Sequence, residues 1–257
     1  MLEELTLEKI QQHIRRQHPV HVFESVASTN TLAAEMAQDG AGHGTGIFAC
    51  HQTQGKGRLG RTFASPDSSG IYMSVILEPS SSNVVLITTA AAVAVSRAIE
   101  KICNQSPSIK WVNDLYLNNK KICGILAEAV TDHKTGTITR IVLGIGINCH
   151  SEALPQELEH IAGAIDGDYS INQLAAEVYN QLMDLANDLD PENFIDEYKD
   201  KSMVIGKNIT VYKGGYSENA TGTAAHVLNI DNNGGLVVLY SSGQQETLST
   251  GEISIRL

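Results

Sequence analysis

Apolar Leu7, Ile10 and Ile14 recur at helical spacing behind Thr6, a residue suited to capping a helix N-terminus, and predict one short opening helix. The stretch VHVFE then reads as a strand, Ser28 stands where a second helix ending near Gly40 would begin, and GIFACHQ reads as a short apolar strand. A glycine- and serine-containing loop from Gln52 to Gly70 leads into the strand IYMSVILE. From about Asn83 to Cys103 the chain is alanine-rich and apolar nearly all round, which predicts a long helix buried against a sheet. The runs SIKWV, LYL, KICGILAEAV and TITRIVLGIGIN, punctuated by ND, NNK and DHKTG, predict a meander of antiparallel strands. Helical periodicity returns over about 171–189 and 191–201.

The texture changes at Met203, after which short strand-like runs are separated by KGG, DNNGG and SSGQ with no helical period. The expected architecture is therefore α+β: a mixed, largely antiparallel sheet with helices packed on one face, followed by a small C-terminal β barrel. A boundary near residue 202 divides the chain into 1–202 and 203–257.

Composition narrows the function classes. With 29 Asp and Glu against 18 Lys and Arg, the net charge of −11 opposes general binding to a phosphate backbone. No run approaches the roughly 18 consecutive apolar residues of a membrane span. The start MLEELTLEKIQQHIRRQ is amphipathic and acidic before it is basic, unlike a signal or transit peptide, so a cytoplasmic protein without membrane or DNA contacts is expected. Cys50, Cys103, Cys123 and Cys149 are widely spaced and predict buried, reduced thiols rather than a zinc site or disulfides.

Against this acidic background the stretch QTQGKGRLGR, residues 52–61, places Lys56, Arg58 and Arg61 among Gly55, Gly57 and Gly60. Gly57 follows Lys56 where a P-loop requires Ser or Thr, and GIGIN at 144–148 lacks the third glycine and the helix of a dinucleotide fingerprint. Glycines that leave backbone N–H groups accessible, next to guanidinium forks, suit a phosphate or carboxylate. An anion is the expected occupant.

STN at 28–30, GKGRLGR at 55–61, KWVND at 110–114, KKICGIL at 120–126, GIGIN at 144–148 and the terminal GEISIRL occur in an order that resembles the biotin protein ligase family. The resemblance runs from about residue 20 to 257, in the short form without an N-terminal DNA-binding domain. It implies a biotin/lipoate-ligase-like catalytic domain, an SH3-like C-terminal barrel, and the cofactors ATP, biotin and Mg2+. It also implies a reaction through biotinyl-5′-AMP, with the biotin carboxyl carrier domain of a carboxylase as acceptor. A homodimer is left open.

By the same resemblance Ser28, Thr29, Asn30 and Gln52 would hold the biotin ring, while Gly55, Lys56, Gly57 and Arg58 would close over biotin and phosphate. Lys121, with Arg58, would serve the reacting centre; Gly124 would let the backbone approach and Leu126 would line the apolar wall. Arg58, Arg61, Phe63, Lys110, Asn113, Asn148 and Arg256 would face the nucleotide, and Asp114 would hold the metal. Lys56, Phe63 and Val112 stand where the family usually has arginine, tryptophan and proline. A lipoate ligase and a non-catalytic biotin or adenylate sensor are the alternative readings.

Overall fold

A computed structural model describes residues 3–67, 69–78, 84–132, 134–213, 220–249 and 253–256. The opening helix α1 (Leu7–Gln11) is capped by Thr6, whose side chain accepts from the Lys9 N–H. Strand β1 (Val20–Val26), helix α2 (Thr29–Gln38), β2 (Gly46–Gln52) and β3 (Gly70–Leu77) follow, and then the long helix α3 (Val84–Cys103). Next come β4 (Ser108–Lys110), β5 (Asp114–Leu117), β6 (Lys120–Thr131) and β7 (Ile138–Asn148), then α4 (Ile171–Asn187) and α5 (Ile195–Asp200). These strands form one seven-stranded sheet in the order β1-β2-β3-β7-β6-β5-β4, parallel only between β1 and β2.

Alternation along the central strands sends side chains to two different layers. Phe48, Met73, Val75, Ile141 and Leu143 enter the main core with α3 and α4, whereas Ile47, Ile76 and Val142 enter a smaller cluster with Ala33 of α2. The expectation of helices on one face is corrected by this arrangement. Leu32, Ala33, Met36 and Ala37 give α2 its own apolar stripe, and strands that are apolar on both sides offer it the opposite face to pack on.

The C-terminal strands β8 (Asn208–Lys213), β9 (Thr223–Ile230), β10 (Leu236–Tyr240), β11 (Gln245–Leu248) and β12 (Ile253–Arg256) make an antiparallel sheet ordered β11-β10-β9-β8-β12. Among the described residues its edge strands β11 and β12 do not pair with one another, so the closure expected of a barrel is not seen there. Val211, Val227 and Leu236 of this sheet belong to the same core cluster as Trp111, Val112 and Tyr198. The four cysteines are free; Cys123 and Cys149 are buried, and burial pushes the thiols of Cys103 and Cys149 up to about 12. None of the described helices is long and apolar enough to cross a membrane.

Candidate functional site

The face of the large sheet shared with α2 carries a pocket with about 450 Å³ of empty space, part of it open to solvent. Its floor exists because of three glycines. Gly144 and Gly146 alternate on β7 with Ile145 and Ile147, whose side chains go to the core, and Gly124 on β6 is the register partner of Gly146. A Cβ at Gly146 would stand 2.5 Å from Phe63 Cε1, and one at Gly144 would stand 2.1 Å from Asn30 Oδ1. The bare backbone thus lets the Phe63 ring and the Asn30 amide settle onto the sheet.

One wall is a chain of neutral hydrogen bonds rooted at the α2 N-terminus. Thr29 donates from its N–H (2.8 Å) and its Oγ1 (3.1 Å) to Gln52 Oε1, and Gln52 Nε2 donates to Ser65 Oγ at 2.8 Å. Ser65 Oγ in turn donates to the Phe63 carbonyl at 3.1 Å. The fully buried Ser74 Oγ lies 2.8 Å from Thr29 Oγ1 and 2.6 Å from Asn30 Oδ1, and Asn30 Nδ2 donates to Glu128 Oε2 at 2.7 Å. Ser28 occupies the N-cap position yet makes no capping hydrogen bond, so its buried side chain faces the pocket rather than the helix end.

Cations line the rest. Lys121 Nζ lies 2.8 Å from Asp114 Oδ1, and Lys56 Nζ lies 3.7 Å from Glu128 Oε1. Arg58 donates to Asn113 Oδ1 at 3.1 Å, while Asn113 Nδ2 donates to the Ile125 carbonyl at 2.9 Å, tying the KWVND turn to β6. Burial pulls the Arg58 pKa down, with Arg61 acting in the same direction and Asp114 opposing, but a guanidinium stays charged at neutral pH. The Trp111–Val112 peptide is cis, and Tyr198 of α5 donates to the Val112 carbonyl at 3.1 Å from behind.

The glycine-rich segment is a closed hairpin: Phe63 N–H donates to Gly55 O at 2.9 Å, and Gly57 N–H to Arg61 O at 2.7 Å. Gly55 has no room for a side chain, because a Cβ would stand 2.3 Å from the Phe63 carbonyl oxygen. The tip, a 3₁₀ turn at Arg58–Gly60, has positive φ at Leu59 (57°) and Gly60 (72°).

The fold brings STN, Gln52, Lys56 to Arg58, Phe63, Asn113, Lys121, Gly124 and Leu126 to one pocket. It does not bring every expected residue there. Gly55 is buried in the hairpin and is not part of the pocket lining, Arg61 is exposed, and Lys110 lies 5.9 Å over the Tyr116 ring. Asn148 is 7% exposed and spends its amide on the Gly163 carbonyl at 2.9 Å. The Arg256 side chain lies outside the described residues. Asp114 is engaged by Lys121, and no group of three or more metal-ligand side chains occurs among the described residues. Sequence reading missed Ser65, Ser74, Glu128, Gly144 and Gly146. The two glycines carried a signal, since GIGIN places them on alternate strand positions where no dinucleotide motif requires them.

Residues 22–148 match the model of the Biotin/lipoate A/B protein ligase family. The chain is 37% identical over 142 residues to the bifunctional ligase/repressor BirA of Bacillus spizizenii, covering 54% of this chain and 44% of that one. It is 27% identical over 247 residues to the biotin--[acetyl-CoA-carboxylase] ligase of Mycobacterium tuberculosis, covering 90% of this chain and 87% of that one. The match therefore spans less than half the length of the BirA relative and most of the mycobacterial one. In fold the chain is similar to a biotin protein ligase from Aquifex aeolicus in complex with biotin and ATP, with a TM-score of 0.77, 24% identity, and coverage of 93% of this chain and 98% of that one.

Proposed function

From the premise that the chain belongs to the biotin protein ligase family, we propose that it activates biotin with ATP and transfers it to a lysine of a biotin carboxyl carrier domain. The observation that best supports this reading is the pocket's composition. A neutral donor–acceptor relay, a glycine floor with an apolar wall at Leu126, and three cations share one cavity. A ring with neutral polar edges, an aliphatic chain and an anion are the chemistry this combination would take.

In the first step a biotin carboxylate oxygen attacks the α-phosphorus of ATP, the bond to the bridging oxygen breaks, and pyrophosphate leaves. Two anions must approach, and the Lys121 ammonium, withdrawn from Asp114, would offset their repulsion together with Arg58. The ATP is read as arriving with Mg2+ on its phosphates. In the second step an acceptor amine attacks the acyl carbon, the bond to the phosphate oxygen breaks, and AMP leaves. Neither step needs a nucleophile from the protein, whose part is to position groups and stabilise charge.

Thr29 and Gln52 hold each other in fixed orientation, which suits a ureido ring more than a dithiolane with no polar partners. The C-terminal strands are read as an SH3-like module, 203–257, appended to a catalytic domain at 1–202. Incubation with ATP, magnesium, biotin and a carrier domain should add one biotin mass to the acceptor, and only when ATP is present. Lipoyl transfer in its place, or binding without transfer, would overturn the reading. Replacing Lys121 with Met should cut single-turnover adenylate formation by about 100-fold, the scale of one lost electrostatic donor, with little change in unfolding midpoint.

A further inference from the structure

Lys56 lines the pocket and is ion-paired to Glu128 on β6, with 3.7 Å between Nζ and Oε1. The other carboxylate oxygen of Glu128 accepts from Asn30 Nδ2 at 2.7 Å, and Asn30 Oδ1 lies 2.6 Å from the buried Ser74. Glu128 is thus anchored from inside the protein through Asn30 and reaches outward to the loop with its second oxygen. Leu126, Glu128 and Val130 share one side of β6, so the same alternation that aims Leu126 at the pocket places Glu128 at its border.

We propose that Glu128 is a positioning residue: it is the resident counter-ion of Lys56, and the anionic end of the ligand must take Lys56 from it. This rests on the reading of the pocket as a biotin and adenylate site. With no ligand, Glu128 offsets part of the positive charge that Lys56 adds to a hairpin already carrying Arg58 and Arg61. Both side chains of the pair are about two-fifths exposed, at 45% and 39%, so the bond is weak enough for a carboxylate to displace. Displacement makes the pocket select for the ligand's charge. An anion gains Lys56 and an uncharged analogue does not, while the Asn30 contact keeps Glu128 in place to receive Lys56 when the ligand leaves.

The test uses the full chain and Glu128→Gln, which keeps an acceptor for Asn30 and removes the charge. Amide hydrogen exchange over residues 53–62 without ligand should speed up in this variant, and this arm does not depend on which ligand the pocket takes. In calorimetry, biotin should bind the variant about three-fold more tightly, within the range of an exposed ion pair, whereas biotinamide should bind both proteins alike. Placing Glu128→Gln in a Lys56→Gln background should abolish the gain. Unchanged loop exchange overturns the proposal, as does a biotin gain that persists without Lys56 or that extends to biotinamide. Faster loop exchange in a protein that binds no biotin at all would sink the ligase reading and leave the Lys56–Glu128 contact standing.

Discussion

Asn30 can reach the sheet only because residue 144 lacks a side chain, its Oδ1 occupying a point 2.1 Å from where a Cβ would be. Gly144→Ala must push the amide away, which separates the buried Asn30 side chain from its Ser74 and Glu128 partners. A buried polar group left unpaired costs about 1–3 kcal/mol, so the variant should lose stability of that order in urea unfolding and lose biotin binding with it. Gly60→Ala makes the contrast. Nothing lies within 4 Å of a Cβ there, and the φ of 72° alone should cost about 1 kcal/mol, without disturbing the relay. An equal loss of stability in both variants would argue against the Asn30 account. At this scale the hairpin glycines and cations stood out by residue type, while Gly124, Lys121 and Gln52 were named through the family resemblance. Glu128 and Ser74 were not legible because their roles arise only when β6 and β3 lie beside α2, 98 and 44 residues from Asn30 along the chain.

Helix α2 was readable as a helix from its Ser28 start and its end near Gly40, but neither its side of the sheet nor the function of its N-cap residue was. Apolar strands hide which of their two faces a short helix will cover, and only the pairing of Ile47, Ile76 and Val142 against Ala33 decides it. Ser28 is likewise ambiguous in sequence, since the residue types that cap a helix are also those that bind a polar ring. The absent capping bond separates the two roles. Ser28→Ala should therefore change the unfolding midpoint by less than the ~1 kcal/mol typical of a lost cap, yet weaken biotin about ten-fold, the worth of one hydrogen bond. Calorimetry alongside denaturation reads both quantities. A full cap-sized loss of stability with unchanged affinity would return Ser28 to the helix.

Over the whole chain, the change of texture near residue 202 marked where the second sheet begins, but not how firmly it is joined to the first. Trp111 is 4% exposed and donates its indole N–H to the Gly234 carbonyl at 2.9 Å, across from the KWVND turn to the β9–β10 connection. Residues 201–203 run beside β4, with Ile109 N–H donating to Lys201 O (2.8 Å) and Met203 N–H to Ile109 O (2.9 Å), and Lys199 reaches Asn232 at 3.1 Å. One core cluster includes side chains from both sheets. Local periodicity carries no trace of such contacts, because each joins residues whose spacing along the chain is unrelated to any helix or strand period. A chain ending at residue 202 should still fold, since the seven-stranded sheet keeps α3 and α4, but the only tryptophan of the protein should become solvent-exposed. Its emission should shift to the red, the unfolding midpoint should fall, and Arg58 should lose part of its grip, because Asn113 follows Val112 in the turn that Trp111 anchors. Unshifted emission in a folded fragment would mean that Trp111 is buried by the first sheet alone. Failure of the fragment to fold would mean that the two sheets form one cooperative unit, and that the boundary at residue 202 divides sequence texture but not stability.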